Sequence, residues 1–229
     1  MEERYLLTSG ASAGLAAAFN APLAGVIFAL EELHRNFSIM VLLPSMAAAF
    51  TATIISRAIF GRATIFDIPD LQLLPISYYG IVILVALASG LAGVIFNWGL
   101  LNIGRFYSLP CFKRPVQKIA FALICAGILG YFLPEVLGGG NDLINHLAKA
   151  PVSLQLLLIF LAGKLIFTLI SYGCGVPGGF FLPMLVIGAL CGSICAQMLI
   201  MLGWIEPAYA TNIMVVAMAA LFASSVRAP

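Results

Sequence analysis

The sequence predicts an all-α polytopic membrane protein, on three observations. Hydrophobic residues make up 62% of the 229-residue chain, charged residues only 9%, and the mean hydropathy is +1.10, well outside the range of soluble domains. No charged residue occurs from Leu165 through Ile205, a stretch far longer than the roughly 20 residues one crossing needs. That stretch is broken by Gly173-Cys174-Gly175-Val176-Pro177-Gly178-Gly179-Phe180-Phe181-Leu182-Pro183, which cannot be continuous helix. Irregular backbone at membrane depth survives only where protein buries it or water reaches it. A glycine-rich break leading into a new helix presents N–H groups and the positive end of a helix dipole, the makings of an anion site.

Reading apolar runs between charges and Gly or Pro breaks gives helices at about Tyr5–Phe19, Pro22–Glu32, Ile39–Phe60, Ile76–Phe106, Val116–Leu133, Leu154–Tyr172, Phe180–Leu202 and Thr211–Ser225. Their lengths are unequal. At 1.5 Å per residue Pro22–Glu32 spans only about 16 Å, whereas Ile76–Phe106 spans about 45 Å and must tilt strongly. Short and tilted helices together suggest a transporter-like interior.

Arg105, Lys113, Arg114 and Lys118 fall in one loop region without an acid, which the positive-inside rule places in the cytoplasm. The flanking loops carry Arg57, Arg62, Asp67 and Asp70 on one side and Glu135, Asp142 and Lys149 on the other, and these roughly cancel. Stepping back across Ile39–Phe60 puts Glu31, Glu32 and Arg35 on the cytoplasmic side. The start, Met1-Glu2-Glu3-Arg4-Tyr5, lacks the basic and apolar regions of a cleavable signal peptide.

Several function classes are disfavoured. No basic stripe interleaves with aromatics, so no nucleic-acid role is read from the net charge of +2. Cys111, Cys125, Cys174, Cys191 and Cys195 form no CxxC pair and have no His partner at metal spacing, so they read as packing residues and no cofactor is expected. An intramembrane hydrolase needs a nucleophile with a base at depth; His34 neighbours Arg35 at the interface and His146 lies in a polar loop, so no enzymatic activity is expected.

In the Gly178–Pro183 run, two glycines let the backbone turn its N–H groups inward, Phe180 and Phe181 supply apolar walls, and Pro183 at an early helical position sacrifices no intrahelical bond. Glu31 and Glu32 end a short apolar helix; they project about 100° apart, so one faces inward and could carry protons, while the simpler reading pairs a helix-end acid with Arg35. Lys164, inside a predicted crossing, either counters an anion or, more simply, snorkels or pairs locally. Asn20 reads as a cap for the helix starting at Pro22. The spacings Gly10…Gly14 and Gly188…Gly192 read as packing faces. An internal echo links residues 13–22 to residues 220–229, agreeing at both ends, as suits a repeat-built transporter.

At these residues the chain resembles the CLC family of chloride channels and chloride/proton antiporters. The run from Gly14 through Asn20-Ala21-Pro22 to Gly25, followed by Glu31-Glu32, is similar to the family segment leading to its intracellular proton glutamate. Gly178-Gly179-Phe180-Phe181-Leu182-Pro183 resembles the GxFxP filter motif, and Ser225-Val226-Arg227-Ala228-Pro229 the start of a further family segment. The resemblance runs the whole length of the chain.

The resemblance implies an inverted-repeat fold, with the end of the first repeat at about 1–110 and most of the second at about 111–229. It implies chloride bound in a filter built from Gly179, Phe180, Phe181, Leu182 and Pro183, the Phe180 and Phe181 amides being the ligands, and Glu32 as the proton carrier. Family channels commonly lack an acid there, so Glu32 favours proton-coupled exchange over a passive chloride channel.

The partners so implied are chloride, protons, membrane lipid and, in a full-length parent, a second subunit, with Pro22–Glu32 and Ile39–Phe60 matching part of the family interface. The implied location is a bacterial inner membrane. The family's GSGxP and GxEGP motifs are absent, as is the C-terminal region with its chloride-coordinating tyrosine. Cys174 imitates the first of these motifs but sits directly before the filter run, so it is not taken as a ligand. The chain is therefore expected to be a central portion of a subunit, incomplete at both ends and not transporting alone.

Overall fold

The computed structural model describes residues 2–35, 37–61, 65–66, 68, 71–112 and 114–226. Arg62, Asp67, Asp70 and Lys113, which enter the loop-charge reading, and Arg227, Ala228 and Pro229, which close the internal echo, lie outside the described residues. The described residues form α-helices α1 (Glu2–Phe19), α2 (Pro22–Phe28), α3 (Ile39–Phe60), α4 (Tyr79–Phe106), α5 (Pro115–Phe132), α6 (Asn141–Lys149), α7 (Leu154–Gly173), α8 (Phe181–Met201) and α9 (Ala210–Val226). Among the described residues six helical stretches, those containing α3, α4, α5, α7, α8 and α9, are long and apolar enough to cross a membrane. The protein is a multi-pass integral membrane protein. Two compact units form, residues 1–67 and residues 68–227.

In the first unit α1 lies against α3 through small side chains. Ser12 is fully buried and its Oγ donates to the Ser45 carbonyl at 3.3 Å; Ala16 and Ala49 are fully buried beside it. The short α2 is drawn onto the same seam by Gly25, where a Cβ would stand 2.8 Å from the Ser12 oxygen and 2.9 Å from the Ala16 nitrogen. Lipid offers no hydrophobic force between helices, so such backbone approach is what holds them.

Asn20 departs from the capping expectation. Its φ of 55° is left-handed, residue 21 is the N-cap of α2 with no side-chain bond, and the Asn20 Oδ1 instead accepts from Arg57 Nε on α3. The left-handed turn aims the side chain across to α3 rather than down onto the first turn of α2. Pro22 at the first helical position has no N–H to be capped.

The second unit is built around α8, half of which is buried, against 6% for α5. Gly188 and Gly192 bring α8 into backbone contact with α9: a Cβ on Gly188 would lie 2.8 Å from Met218 Cα, and one on Gly192 2.6 Å from Met214 Cα. That pair is a packing face, as its spacing predicts. At Gly10 and Gly14 a Cβ meets nothing within 4 Å among the described residues, and the close contact in that unit falls to Gly25. Gly192→Ala is accordingly expected to destabilise by about 1–3 kcal/mol through overpacking, and Gly10→Ala by no more than about 0.5 kcal/mol, compared by thermal unfolding in detergent.

Helix α4 closes on α9 where Gly93 meets Ser224, and Asn97 Nδ2 donates to the Ser225 carbonyl at 2.8 Å near the end of α9. Just past α4, Tyr107 donates its hydroxyl to the Ile170 carbonyl of α7 at 2.8 Å. Burial, first, and the neighbouring Cys174 and Cys125 push its phenol up to about 12, so it remains a donor. Elsewhere the apolar side chains point outward, including Leu101, Tyr131 and Phe132, the surface a hydrocarbon surrounding requires.

Two elements differ from expectation. Residues 141–149 are helical, so His146 lies on α6 and not in a loop; Leu143, Ile144 and Ala148 make one buried face despite Asp142 and Lys149. The predicted Pro22–Glu32 helix stays α-helical only to Phe28 and continues as a π-turn over Ala29–His34, ending at Arg35 with a left-handed φ of 53°.

Candidate functional site

The glycine-rich run sits in the second unit between α7 and α8. Gly175 takes a φ of +83°, which only glycine adopts without strain, and reverses the chain after Cys174. Cys174 is buried and donates its thiol to the Ser171 carbonyl at 2.9 Å, a packing role. Gly178 and Gly179 follow in the open, and a Cβ on Gly179 would meet nothing within 4 Å.

Phe180 is the N-cap of α8, with φ −106° and ψ 3°, so the helix begins one residue later than the apolar run predicts. Its carbonyl accepts the Met184 N–H at 3.0 Å, and no side chain caps the end. Pro183 stands in the first turn, where a missing N–H costs no intrahelical bond. The Phe180 ring packs edge-on against Tyr172 at 5.5 Å, and that of Phe181 against Phe222 at 5.3 Å. Leu182 turns toward Gly139, at whose position a Cβ would come within 3.1 Å of its Cδ1.

A cavity of about 530 Å³ opens at this end of α8. Gly178, Gly179, Phe180 and Pro183 line it together with Lys164 and Thr168 of α7. Lys164 is 1% exposed and donates to the carbonyls of Val136 and Gly138, each at 2.8 Å. Local pairing is thus its arrangement, and it does not snorkel. The structure therefore brings Gly178, Gly179, Phe180, Pro183 and Lys164 to one cavity, while Phe181 and Leu182 of the glycine-rich run do not line it. The sequence gives no sign of the Val136 and Gly138 carbonyls as partners, because they lie 28 and 26 residues away along the chain.

Glu32 belongs to the first unit. It lies in the π-turn, partly exposed, with Oε1 3.8 Å from an Arg35 guanidinium nitrogen. At 3.8 Å to an exposed arginine the pair is loose and contributes at most about 1 kcal/mol. Beside it, His34 Nδ1 lies 3.4 Å from Thr8 Oγ1 and its ring 5.4 Å from that of Tyr5. π-turns within helices often occur where a side chain must be aimed for function.

Comparison with known proteins gives a consistent result. A family model described as voltage gated chloride channel matches residues 1–229. The chain is 35% identical over 233 residues to the H(+)/Cl(-) exchange transporter ClcA of Vibrio campbellii and 36% identical over 235 residues to that of Salmonella agona. These alignments cover 98% of this chain and 49% and 48% of the relatives, so the chain spans about half the length of the curated relatives it matches.

Among solved structures it resembles a slow cyanobacterial Cl-/H+ antiporter, with a TM-score of 0.86, 30% identity and coverage of 96% of this chain and 52% of the other. It also resembles a CLC-type fluoride/proton antiporter, with a TM-score of 0.78, 26% identity and coverage of 97% and 54%. With the family model matched along the whole sequence and the glycine-rich run placed at the start of a buried helix, the chain belongs to the voltage gated chloride channel family.

Proposed function

We propose that the chain is part of a subunit that exchanges chloride for protons across a bacterial inner membrane. The observation that carries this reading is the filter run at the N-terminal end of α8, facing a cavity that also holds a buried lysine. Chloride binds there to the Phe180 and Phe181 amides, with Gly179, Leu182 and Pro183 shaping the backbone, and the helix dipole favours the negative charge. Glu32 carries protons on the cytoplasmic side. The relatives named above are described as exchangers, which favours antiport over enzymatic activity. Two repeats meeting near residue 110 and a dimeric parent, with lipid around it, complete the proposal.

The test is a liposome measurement on the intact subunit that carries this chain. An imposed chloride gradient is expected to drive protons against their own gradient, read with a pH electrode under valinomycin-free and valinomycin-clamped conditions. Chloride flux with no accompanying proton movement would overturn exchange in favour of a passive channel, the reading that differs only in coupling.

A further inference from the structure

Lys164 stands near the middle of a membrane-spanning helix, yet among the described residues no carboxylate lies within ion-pair distance of it. Its two hydrogen-bond partners are carbonyls, which accept its N–H groups but bring no opposite charge. Charges at this depth ordinarily face a protein interior or an aqueous cavity and meet an opposite charge there. Lys164 lines a cavity, and Gly178, Gly179, Phe180 and Pro183 line the same cavity.

The carbonyl partners belong to one segment, and the segment touches α8. Gly138, Gly139 and Gly140 form a strap with φ of +63° at the first and +86° at the last, conformations that side chains resist. A Cβ on Gly140 would lie 2.6 Å from Val186 Cγ2 and 3.1 Å from Lys164 Nζ, and one on Gly139 3.1 Å from Leu182 Cδ1. The strap therefore runs between the lysine ammonium and the first two turns of α8, with little room for a side chain at Gly139 or Gly140.

We propose that Lys164 is a positioning and charge-supplying residue of the anion site: its amine fastens the Gly138–Gly140 strap against the start of α8 and gives the cavity a positive charge that a bound anion answers. The inference rests on the reading of that cavity as the chloride site and adds to it a residue outside the filter motif. Lys164 acts across the cavity and not as a direct ligand. The strap is the mechanical half of the role and the charge the electrostatic half.

The experiment is chloride titration by calorimetry on the intact subunit, unmodified and carrying Lys164→Arg, Lys164→Gln or Gly140→Ala. Arginine keeps the charge and is expected to hold the chloride Kd within about threefold. Glutamine keeps a donor for the strap carbonyls but not the charge, and is expected to raise the Kd by about tenfold or more with an unchanged melting temperature in chloride-free buffer. That combination separates the role from a structural one, which would move the melting temperature first. A Lys164→Gln variant that folds and binds chloride as tightly as the unmodified protein overturns the inference while leaving the filter reading intact. Should Lys164→Gln not fold, Gly140→Ala decides, since a displaced strap with unaltered chloride affinity overturns it equally. Absence of chloride binding by the unmodified protein would instead overturn the filter reading itself.

Discussion

Glu32→Gln is expected to abolish proton movement while chloride continues to flow through the intact subunit. Glutamine matches the shape of glutamate but cannot take up and release a proton near neutral pH, so only the protonation chemistry is removed. The fold should survive the change, because the one ion pair that Glu32 makes is long, involves an exposed arginine and contributes little. Chloride-driven proton uptake should therefore fall by about a hundredfold or to background, a loss of the size expected when a required proton carrier is deleted. Glu31→Gln is the control, since adjacent residues of a helix project in different directions, and it is expected to leave coupling in place. Proton uptake that persists in Glu32→Gln would reduce this residue to the helix-end partner of Arg35.

A second large effect is expected from Gly179→Leu. A Cβ at this position meets no atom within 4 Å, and the residue does not take a left-handed φ, so the chain should accept a side chain there without strain. The residue nevertheless lines the cavity in front of α8, and four extra carbons would occupy space that a hydrated or partly hydrated anion needs. Chloride binding and flux should both fall by about a hundredfold, with the melting temperature held within the few degrees that a shift under about 0.5 kcal/mol allows. Wild-type chloride affinity in this variant would show that the cavity is not the binding site. The contrast with Gly192→Ala is informative, since that change removes no functional space but strikes backbone.

Much of the fold was legible because lipid-spanning helices announce themselves by length and hydropathy. Ile39–Phe60 has the predicted bounds, Leu154–Gly173 and Phe181–Met201 differ by a residue or so, and the helix break falls where glycine and proline interrupt the apolar run. Helix α6 was missed because its amphipathic pattern, with Leu143, Ile144 and Ala148 on one side and Asp142 and Lys149 on the others, resembles a polar loop in so apolar a chain. The recurrence of apolar residues at 143, 144, 147 and 148 after Gly140 was the available signal. The π-turn at Ala29–His34 carries no local signature, since an extra residue per turn leaves composition unchanged. Of the candidate site, the motif was readable and its setting was not: which carbonyls a buried lysine meets depends on how segments far apart in sequence come together.

The backbone contact between α8 and α9 has a mechanical consequence. Gly188 and Gly192 act as two notches one turn apart, each engaged by a main-chain atom of the facing helix. Such a pair can rock about its contact point, but sliding by a turn of about 5.4 Å would drive Met184 or Ala196, which share that face at four-residue spacing, toward backbone. The two helices should consequently travel as one lever. Any displacement that opens or closes the space before Phe180 then has to be borne by parts of that unit held less closely, such as the largely exposed α5, while α8 and α9 keep their places against one another.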